Sequence, residues 1–219
     1  MRFSVMRMAP LLLVLAIALV SFGCRPSCDS GNAKSVIEDG MKLPDKEARL
    51  LADAGWNERV GEELGLWVSV ERQALFGIEK DIVKFGYPAS TAARGTGNRV
   101  DSRQTPLGWH EIAELIGHGL PEGAIFTERK YTGKVWKPGE VTEKDLILSR
   151  ILWLRGLEPG HNAGPGVDSY ARYIYIHGTP AEDKLGTPAS MGCVRLSNRD
   201  VIQLFERVKV GTRVLITEW

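Results

Sequence analysis

The segment that decides the fold joins an apolar run to a cysteine. Residues 173–196 read Tyr-Ile-Tyr-Ile-His-Gly-Thr-Pro-Ala-Glu-Asp-Lys-Leu-Gly-Thr-Pro-Ala-Ser-Met-Gly-Cys-Val-Arg-Leu. His177 directly follows the strand-like run and should therefore lie at a rigid strand end. Cys193 comes sixteen positions later, after a loop whose glycines and prolines can fold the chain back. This spacing predicts that the thiol and the imidazole meet.

A cysteine beside a histidine suits nucleophilic catalysis, because the thiolate is the reactive form and the imidazole accepts its proton. We expect Cys193 to be the nucleophile and His177 its base, with a lowered thiol pKa that allows rapid alkylation at pH 6. Gly192 permits a tight turn, so the N–H groups of Gly192 and Cys193 could face an oxyanion. Arg195 could bind a substrate carboxylate through two hydrogen bonds. Taken alone, the pair is equally compatible with a buried inert thiol and a buried histidine.

The surrounding sequence predicts a mainly β fold with a few short helices. Three closely spaced strands followed by further separate strands suggest an antiparallel meander at the start of the domain. A helix is predicted from Ser197 or Asn198 to Gly211, with one apolar face. A short helical turn is predicted over residues 110–117. The predicted strands cover residues 67–70, 74–78, 81–87, 146–154, 173–176 and 213–216.

Composition bounds the class of protein. The 219 residues are 43% hydrophobic and 25% charged, which is ordinary for one globular domain with an added segment. The formal net charge is +1, and no long run of like charge occurs. A nearly neutral chain carries no electrostatic footprint for nucleic acid, so we expect no nucleic-acid partner.

The N-terminus predicts export. Arg2 and Arg7 precede an apolar run over residues 9–20, as in a secretory signal, and the run is short for a membrane span. Residues 21–24 read Ser-Phe-Gly-Cys and resemble a bacterial lipoprotein cleavage site, which would make Cys24 the lipidated residue. Ordinary cleavage nearby and an uncleaved anchor are the alternatives. We predict a signal peptide over 1–23, a tether with a short helical segment over 24–64, and the main domain over 65–219.

Cysteine usage agrees with an exported chain. Besides Cys24 and Cys28, the only cysteine is Cys193. Exported proteins usually pair their cysteines or lack them, so a lone cysteine deep in the domain calls for a reason. Catalysis is one such reason.

Residues 173–196 resemble the catalytic motif of the L,D-transpeptidases, the YkuD-type domain. That motif has His-Gly, a spacer of this length, then Ser/Thr-His-Gly-Cys, a hydrophobic residue and Arg or Asn. Residues 105–108, Thr-Pro-Leu-Gly, resemble a strand motif that precedes the site in this family, and residues 211–214 resemble its closing strand. The matching residues are His177, Gly178, Ser190, Gly192, Cys193, Val194 and Arg195.

The resemblance implies an acyl transfer on peptidoglycan peptide stems. Cys193 would form a thioester with a tetrapeptide stem and release D-Ala, and an amine of another stem or of an envelope protein would accept the acyl group. The Gly178 carbonyl would orient the imidazole, and Ser190 and Trp109 would contact substrate. No metal or organic cofactor is implied, and acylation of Cys193 by carbapenems is expected. The enzyme would work in the periplasm or cell envelope, held to a membrane by the lipid on Cys24.

One position departs from the family pattern. Met191 stands where the family usually has a histidine beside the nucleophile. Because Met cannot donate a hydrogen bond, the rate, the choice of acceptor, or the balance of hydrolysis against transfer could differ.

Three other hypotheses compete with this one. Cys193 and Arg199 fit the Cys-x5-Arg spacing of cysteine phosphatases, although the intervening residues contain no glycine. Zinc could in principle bind His161, His177 and Cys193, although these lack the closely paired spacing of structural zinc ligands. The domain could also bind peptidoglycan without catalysis. Trp136 is interpreted as a half-buried filler of a small β domain.

Overall fold

The computed structural model describes residues 40–142 and 145–219. The predicted signal peptide, the predicted lipidation residue Cys24, Cys28 and the first part of the tether lie outside the described residues. Within the described ranges, no helix has both the length and the apolar character needed to cross a membrane.

The described residues form one ten-stranded sheet with three α-helices, so the mainly β prediction is confirmed. Eight strands follow the order β3-β2-β1-β10-β4-β7-β5-β6, while β8 pairs with β7 and β9 pairs with β8. The helices are α1 (Asp45–Asp53), α2 (Trp56–Arg59) and α3 (Asn198–Arg207), with a 3-10 turn at Glu182–Lys184. The strands are β1 (Gly65–Ser69), β2 (Ala74–Glu79), β3 (Ile82–Pro88), β4 (Gly108–Ile116), β5 (Ala124–Thr127), β6 (Lys130–Val135), β7 (Ile147–Gly156), β8 (Tyr175–Gly178), β9 (Val194–Leu196) and β10 (Arg213–Thr217).

The predicted meander is present as β1, β2 and β3, which pair antiparallel in sequence order. The helical turn predicted over residues 110–117 is wrong, because this stretch is the strand β4. It pairs with β10 on one side and β7 on the other, with a register shift between Ile112 and Glu114. Hydrogen bonds to two neighbouring strands therefore outweigh the weak local pattern.

Helices cover both faces of the sheet. On one face α3 buries Val201 and Leu204 in the main core. On the other face α1 and α2 bury Leu51 and Trp56 in a second core around Trp67. Both helices lie in the segment 24–64, for which a tether and a short helical segment were predicted, and β1 begins at Gly65.

The segment that carries His177 and the segment that carries Cys193 each have one face buried in the main core and one face turned away from it. Side chains in a strand alternate between the faces of a sheet, so every second residue shares a face. The residues buried in the core beneath α3 are Ile174, Ile176, Val194 and Leu196. The intervening residues, which share the other face, are Tyr175, His177, Cys193 and Arg195.

Candidate active site

The parallel pairing of β8 with β9 brings the predicted reactive residues together. His177 lies within β8 rather than after it, and it is in register with Arg195 of β9. Cys193 immediately precedes β9, and its Sγ accepts a hydrogen bond of 3.4 Å from the backbone N–H of Tyr175. Because alternate strand residues share a face, the thiol, the imidazole and the guanidinium occupy neighbouring positions on one side of the sheet.

The imidazole of His177 is fixed by the backbone. Nδ1 lies 2.7 Å from the carbonyl oxygen of Gly178, so Nδ1–H donates and Nε2 keeps its lone pair. Gly178 thus makes the orienting contact that the resemblance implied. Burial lowers the pKa of His177 to about 4. The side chain is therefore neutral at pH 7 and can accept a proton.

The thiol of Cys193 is held by backbone groups instead of by the histidine. Sγ donates to the carbonyl of Tyr173 at 3.5 Å, and no hydrogen bond among the described residues joins it to His177. Burial raises the pKa of the Cys193 thiol to about 11, although the N–H of Tyr175 opposes the shift. The structure thus differs from the expected lowered thiol pKa, because desolvation favours the neutral form of both reactive groups.

A buried serine shapes the turn before the thiol. The Ser190 hydroxyl donates to the Cys193 carbonyl at 2.6 Å and accepts from the Gly192 N–H at 3.2 Å. Gly192 has φ +130°, a conformation that L side chains rarely adopt. Ser190 therefore positions the turn from inside the protein. The Gly192 N–H is already engaged, so the Cys193 N–H, which has no acceptor among the described residues, is the better oxyanion donor.

Sequence reasoning assigned no role to two residues that brace this turn. The Thr105 hydroxyl donates to the Gly192 carbonyl at 3.0 Å and accepts from the N–H of Ala92 at 3.0 Å. Arg172 donates to the carbonyls of Gly97 and Gln104, which fixes the neighbouring loop. The Thr-Pro-Leu-Gly motif was the available signal for Thr105, whereas nothing local marked Arg172.

The structure does not bring Trp109 to the site. Its side chain is buried in the second core, 5.7 Å from the ring of Trp56, and its indole N–H donates to the Ala54 carbonyl at 2.8 Å. Met191, by contrast, is 56% exposed two residues before Cys193.

An aromatic cluster borders the thiol. Cys193 packs against a buried cluster that includes Trp153 and Tyr175, and Arg129 lies over the rings of Trp153 and Tyr173 at 5.0 and 4.8 Å. Tyr173 is half exposed and has φ +58°, a strained value that residues near functional sites often show. This cluster forms a rigid wall on the Tyr175 side of Cys193.

Arg195 pairs with an acidic residue that sequence reasoning missed. Its Nη2 donates to the carboxylate of Asp145, which lies just before β7. Both residues line a cavity of about 500 Å³. Fifty positions and two strands, β7 and β8, separate the two in sequence, so no local motif could have indicated the pair.

The two competing chemistries find little support in the geometry. Arg199 is exposed on α3, and three of the five residues between it and Cys193 form β9, while the other two cap and begin α3, so there is no phosphate-binding loop between them. His161 is exposed in a separate loop, and within residues 40–142 and 145–219 no three His, Cys, Asp or Glu side chains are grouped as metal ligands.

Comparison with known proteins gives one consistent answer. The family model described as the L,D-transpeptidase catalytic domain, YkuD, matches residues 64–216. The chain is 39% identical over 120 residues to "Probable L,D-transpeptidase ErfK/SrfK" of Salmonella typhimurium, covering 53% of this chain and 34% of that protein. It is 40% identical over 91 residues to "Probable L,D-transpeptidase YbiS" of Escherichia coli, covering 40% and 29%.

Among solved structures, L,D-transpeptidase 3 from Mycobacterium tuberculosis, in complex with a faropenem-derived adduct, matches with a TM-score of 0.45 and 16% identity. The match covers 71% of this chain and 60% of that one. The chain spans only about a third of the length of the curated relatives named above. The family model, in contrast, covers most of the present chain. The chain therefore belongs to the YkuD family of L,D-transpeptidase catalytic domains.

Proposed function

We propose that this chain is a peptidoglycan L,D-transpeptidase that works through a thioester on Cys193. The observation that supports this most directly is the shared face of β8 and β9, where Cys193 lies beside a neutral, backbone-oriented His177. Family membership supports the reaction class, and we assign Cys193 as nucleophile, His177 as base and the Cys193 N–H as oxyanion donor.

The first half-reaction forms the acyl-enzyme. The thiol leaves the Tyr173 carbonyl, and Nε2 of His177 takes its proton as Sγ attacks the carbonyl before D-Ala. The Cys193 N–H stabilises the oxyanion. When the C–N bond breaks, the imidazolium returns the proton to the departing amine, leaving a thioester and free D-Ala.

The second half-reaction transfers the acyl group. An amine of another stem or of an envelope protein attacks the thioester, and His177 accepts a proton from this amine. The imidazolium then protonates the departing thiolate, which restores the neutral pair. Attack by water in place of the amine would make the enzyme an L,D-carboxypeptidase. Met191, exposed near the thiol where the family usually has histidine, could change the ratio of hydrolysis to transfer.

We place this reaction in the cell envelope. The N-terminal sequence supports export, and lipidation of Cys24 would hold the domain at a membrane. These assignments rest on the sequence pattern of residues 1–24.

Product analysis tests the proposed function. The purified full chain is incubated with disaccharide-tetrapeptides beside a Cys193→Ala variant, and the products are read by mass spectrometry. We expect free D-Ala and cross-linked dimers from the native chain and neither from the variant. A carbapenem should add one covalent adduct to Cys193 in the native chain only.

The other outcomes are informative. Tripeptides without dimers would establish hydrolysis as the main reaction. Unchanged tetrapeptides together with an unmodified Cys193 in the carbapenem arm would contradict an acyl-enzyme and leave the peptidoglycan-binding hypothesis.

A further inference from the structure

The guanidinium of Arg195 has more hydrogen-bonding capacity than it uses. The residue is only 6% exposed, and within the described part of the chain its guanidinium donates a single hydrogen bond, to Asp145. Its Nε atom is buried and has no hydrogen-bond partner among residues 40–142 and 145–219. A guanidinium offers five donors in a fork that matches a carboxylate, and a buried donor without an acceptor is costly. This arrangement indicates a site for an anionic ligand.

Asp145 is the more easily moved member of the pair. Its side chain is 26% exposed to solvent, whereas the side chain of Arg195 is 7% exposed. Arg195 belongs to β9 and its backbone is held on both sides, by pairing with β8 and by two hydrogen bonds with Ser90. Asp145 lies in the connection that precedes β7. Both line the cavity of about 500 Å³, which is also lined by Lys184 and Thr179. The Asp145 carboxylate can therefore exchange Arg195 for water without disturbing the sheet.

The positions of Cys193, His177 and Arg195 at β8 and β9 place three chemical groups near one another on one face. Cys193 and Arg195 are two residues apart on one face, which corresponds to about 7 Å. His177 is in register with Arg195 on the neighbouring strand. In a tetrapeptide stem, the scissile carbonyl of the third residue is bonded to the D-Ala nitrogen, and the D-Ala carboxylate follows two bonds later. Thiol, imidazole and guanidinium can thus meet carbonyl, amine and carboxylate together.

We propose that Arg195 binds the α-carboxylate of the departing D-Ala, and that Asp145 occupies this subsite until the substrate carboxylate displaces it. The inference rests on the proposed function and adds the group that would select stems ending one residue beyond the scissile bond. A stem extended by a further residue would carry its carboxylate past Arg195.

The exchange is electrostatically balanced. One carboxylate replaces another, so Arg195 is never left as an uncompensated buried charge. Asp145 thereby acts as an internal competitor, and removing its charge should strengthen binding of the anionic stem. If Asp145 only positioned Arg195, the same change would weaken binding, so the two roles predict opposite signs.

Calorimetric titration tests the inference without turnover. In the Cys193→Ala background, the free tetrapeptide acid and its C-terminal amide are titrated into the full chain with and without Asp145→Asn. We expect Asp145→Asn to tighten binding of the acid roughly 10-fold and to leave the amide unchanged. Asp183→Asn is the matched control, because Asp183 lines the same cavity without contacting Arg195 and should change neither ligand.

Weaker binding of the acid by Asp145→Asn, or an equal change for acid and amide, overturns the inference. Arg195→Gln should remove the preference for the acid. If that variant does not fold, the comparison of the two aspartate variants decides alone. The native chain could make the expected products while Asp145→Asn fails to tighten binding of the acid relative to the amide. That result would refute only this inference. If no variant binds the tetrapeptide stem and the native chain does not convert it to products, the proposed function is overturned as well.

Discussion

Burial holds both reactive side chains in their neutral forms. The pKa of His177 falls to about 4 and that of Cys193 rises to about 11, mainly because each group is desolvated. A resting thiolate–imidazolium pair is therefore disfavoured, unlike in many cysteine enzymes. Proton transfer has to accompany attack on the bound substrate, so the free enzyme should resist alkylating agents.

We predict slow alkylation of Cys193 at neutral pH. With a thiol pKa of about 11, the thiolate fraction at pH 7 is roughly 100-fold below that of glutathione, and the rate should rise steadily above pH 9. Iodoacetamide labelling of the full chain, followed by peptide mapping of residue 193, measures this rate. A rate plateau already reached at pH 6 would show instead that a thiolate pairs with His177.

Asn198 ties the first turn of α3 to the strands that carry the site. Its amide nitrogen donates to the Thr179 carbonyl at 2.9 Å and to Glu182 at 2.8 Å, while its Oδ1 accepts from the Ser149 hydroxyl at 2.6 Å. One side chain thus joins α3, the end of β8 and the part of β7 where its pairing with β8 shifts register, between Leu148 and Ile151.

We predict that Asn198→Ala lowers the free energy of unfolding by about 3 kcal/mol, because it leaves buried partners without hydrogen bonds. Urea denaturation at pH 7 provides the measurement. Arg199→Ala is the matched control, since Arg199 is exposed in the same helical turn and should change stability by less than about 0.5 kcal/mol. Equal effects of the two changes would refute this role for Asn198.

The elements that sequence reasoning predicted are those with a local hydrophobic pattern. The meander, β7, β10 and α3 carry that pattern, and α3 begins where its cap predicted, with the Ser197 hydroxyl accepting from the Asp200 N–H. The hairpin of β5 and β6 was not predicted, because β6 is exposed along nearly all of its length and shows no alternation of buried and exposed residues. Only three residues form β9, too few for any period to be read.

In the candidate site, too, the residues with a local sequence signal were predicted and those without one were not. Motif and spacing indicated Cys193 and His177, whose relation is local to two adjoining strands. Asp145 could not be predicted, because its meeting with Arg195 depends on how β7, β8 and β9 are assembled. Trp109 was assigned to substrate from its place after a motif, but its burial against Trp56 depends on helices far away in sequence.

Two buried histidines link the stability of the whole domain to pH. His110, like His177, is fully inside the protein, with Nδ1–H donating to the Gly108 carbonyl at 3.0 Å and Nε2 accepting from Ser169 at 2.9 Å. Burial lowers the pKa of His110 from 6.5 to about 4. Between these two values the unfolded chain binds protons that the folded chain does not, so stability falls as the pH falls.

We predict that the free energy of unfolding drops between pH 6 and pH 5 by about 1.4 kcal/mol per pH unit for each of the two histidines. Above pH 6.5 this contribution is fully present. Urea denaturation across the window measures the slope, and His110→Gln should remove about half of it. His118→Gln, a change at an exposed histidine, serves as the control. A slope that His110→Gln leaves intact would assign the acid sensitivity to other groups.

The strand β10 sits in the middle of the sheet, between β1, with which it runs parallel, and β4, with which it runs antiparallel. Until residues 213–217 arrive, β1 and β4 each present an unpaired edge, and the two parts of the sheet have nothing to join them. The chain must therefore emerge from the ribosome as far as Thr217 before the sheet can close. If the chain is exported as we propose, folding delayed in this way would keep it unfolded, as passage through a secretion channel requires, until this domain has been synthesised.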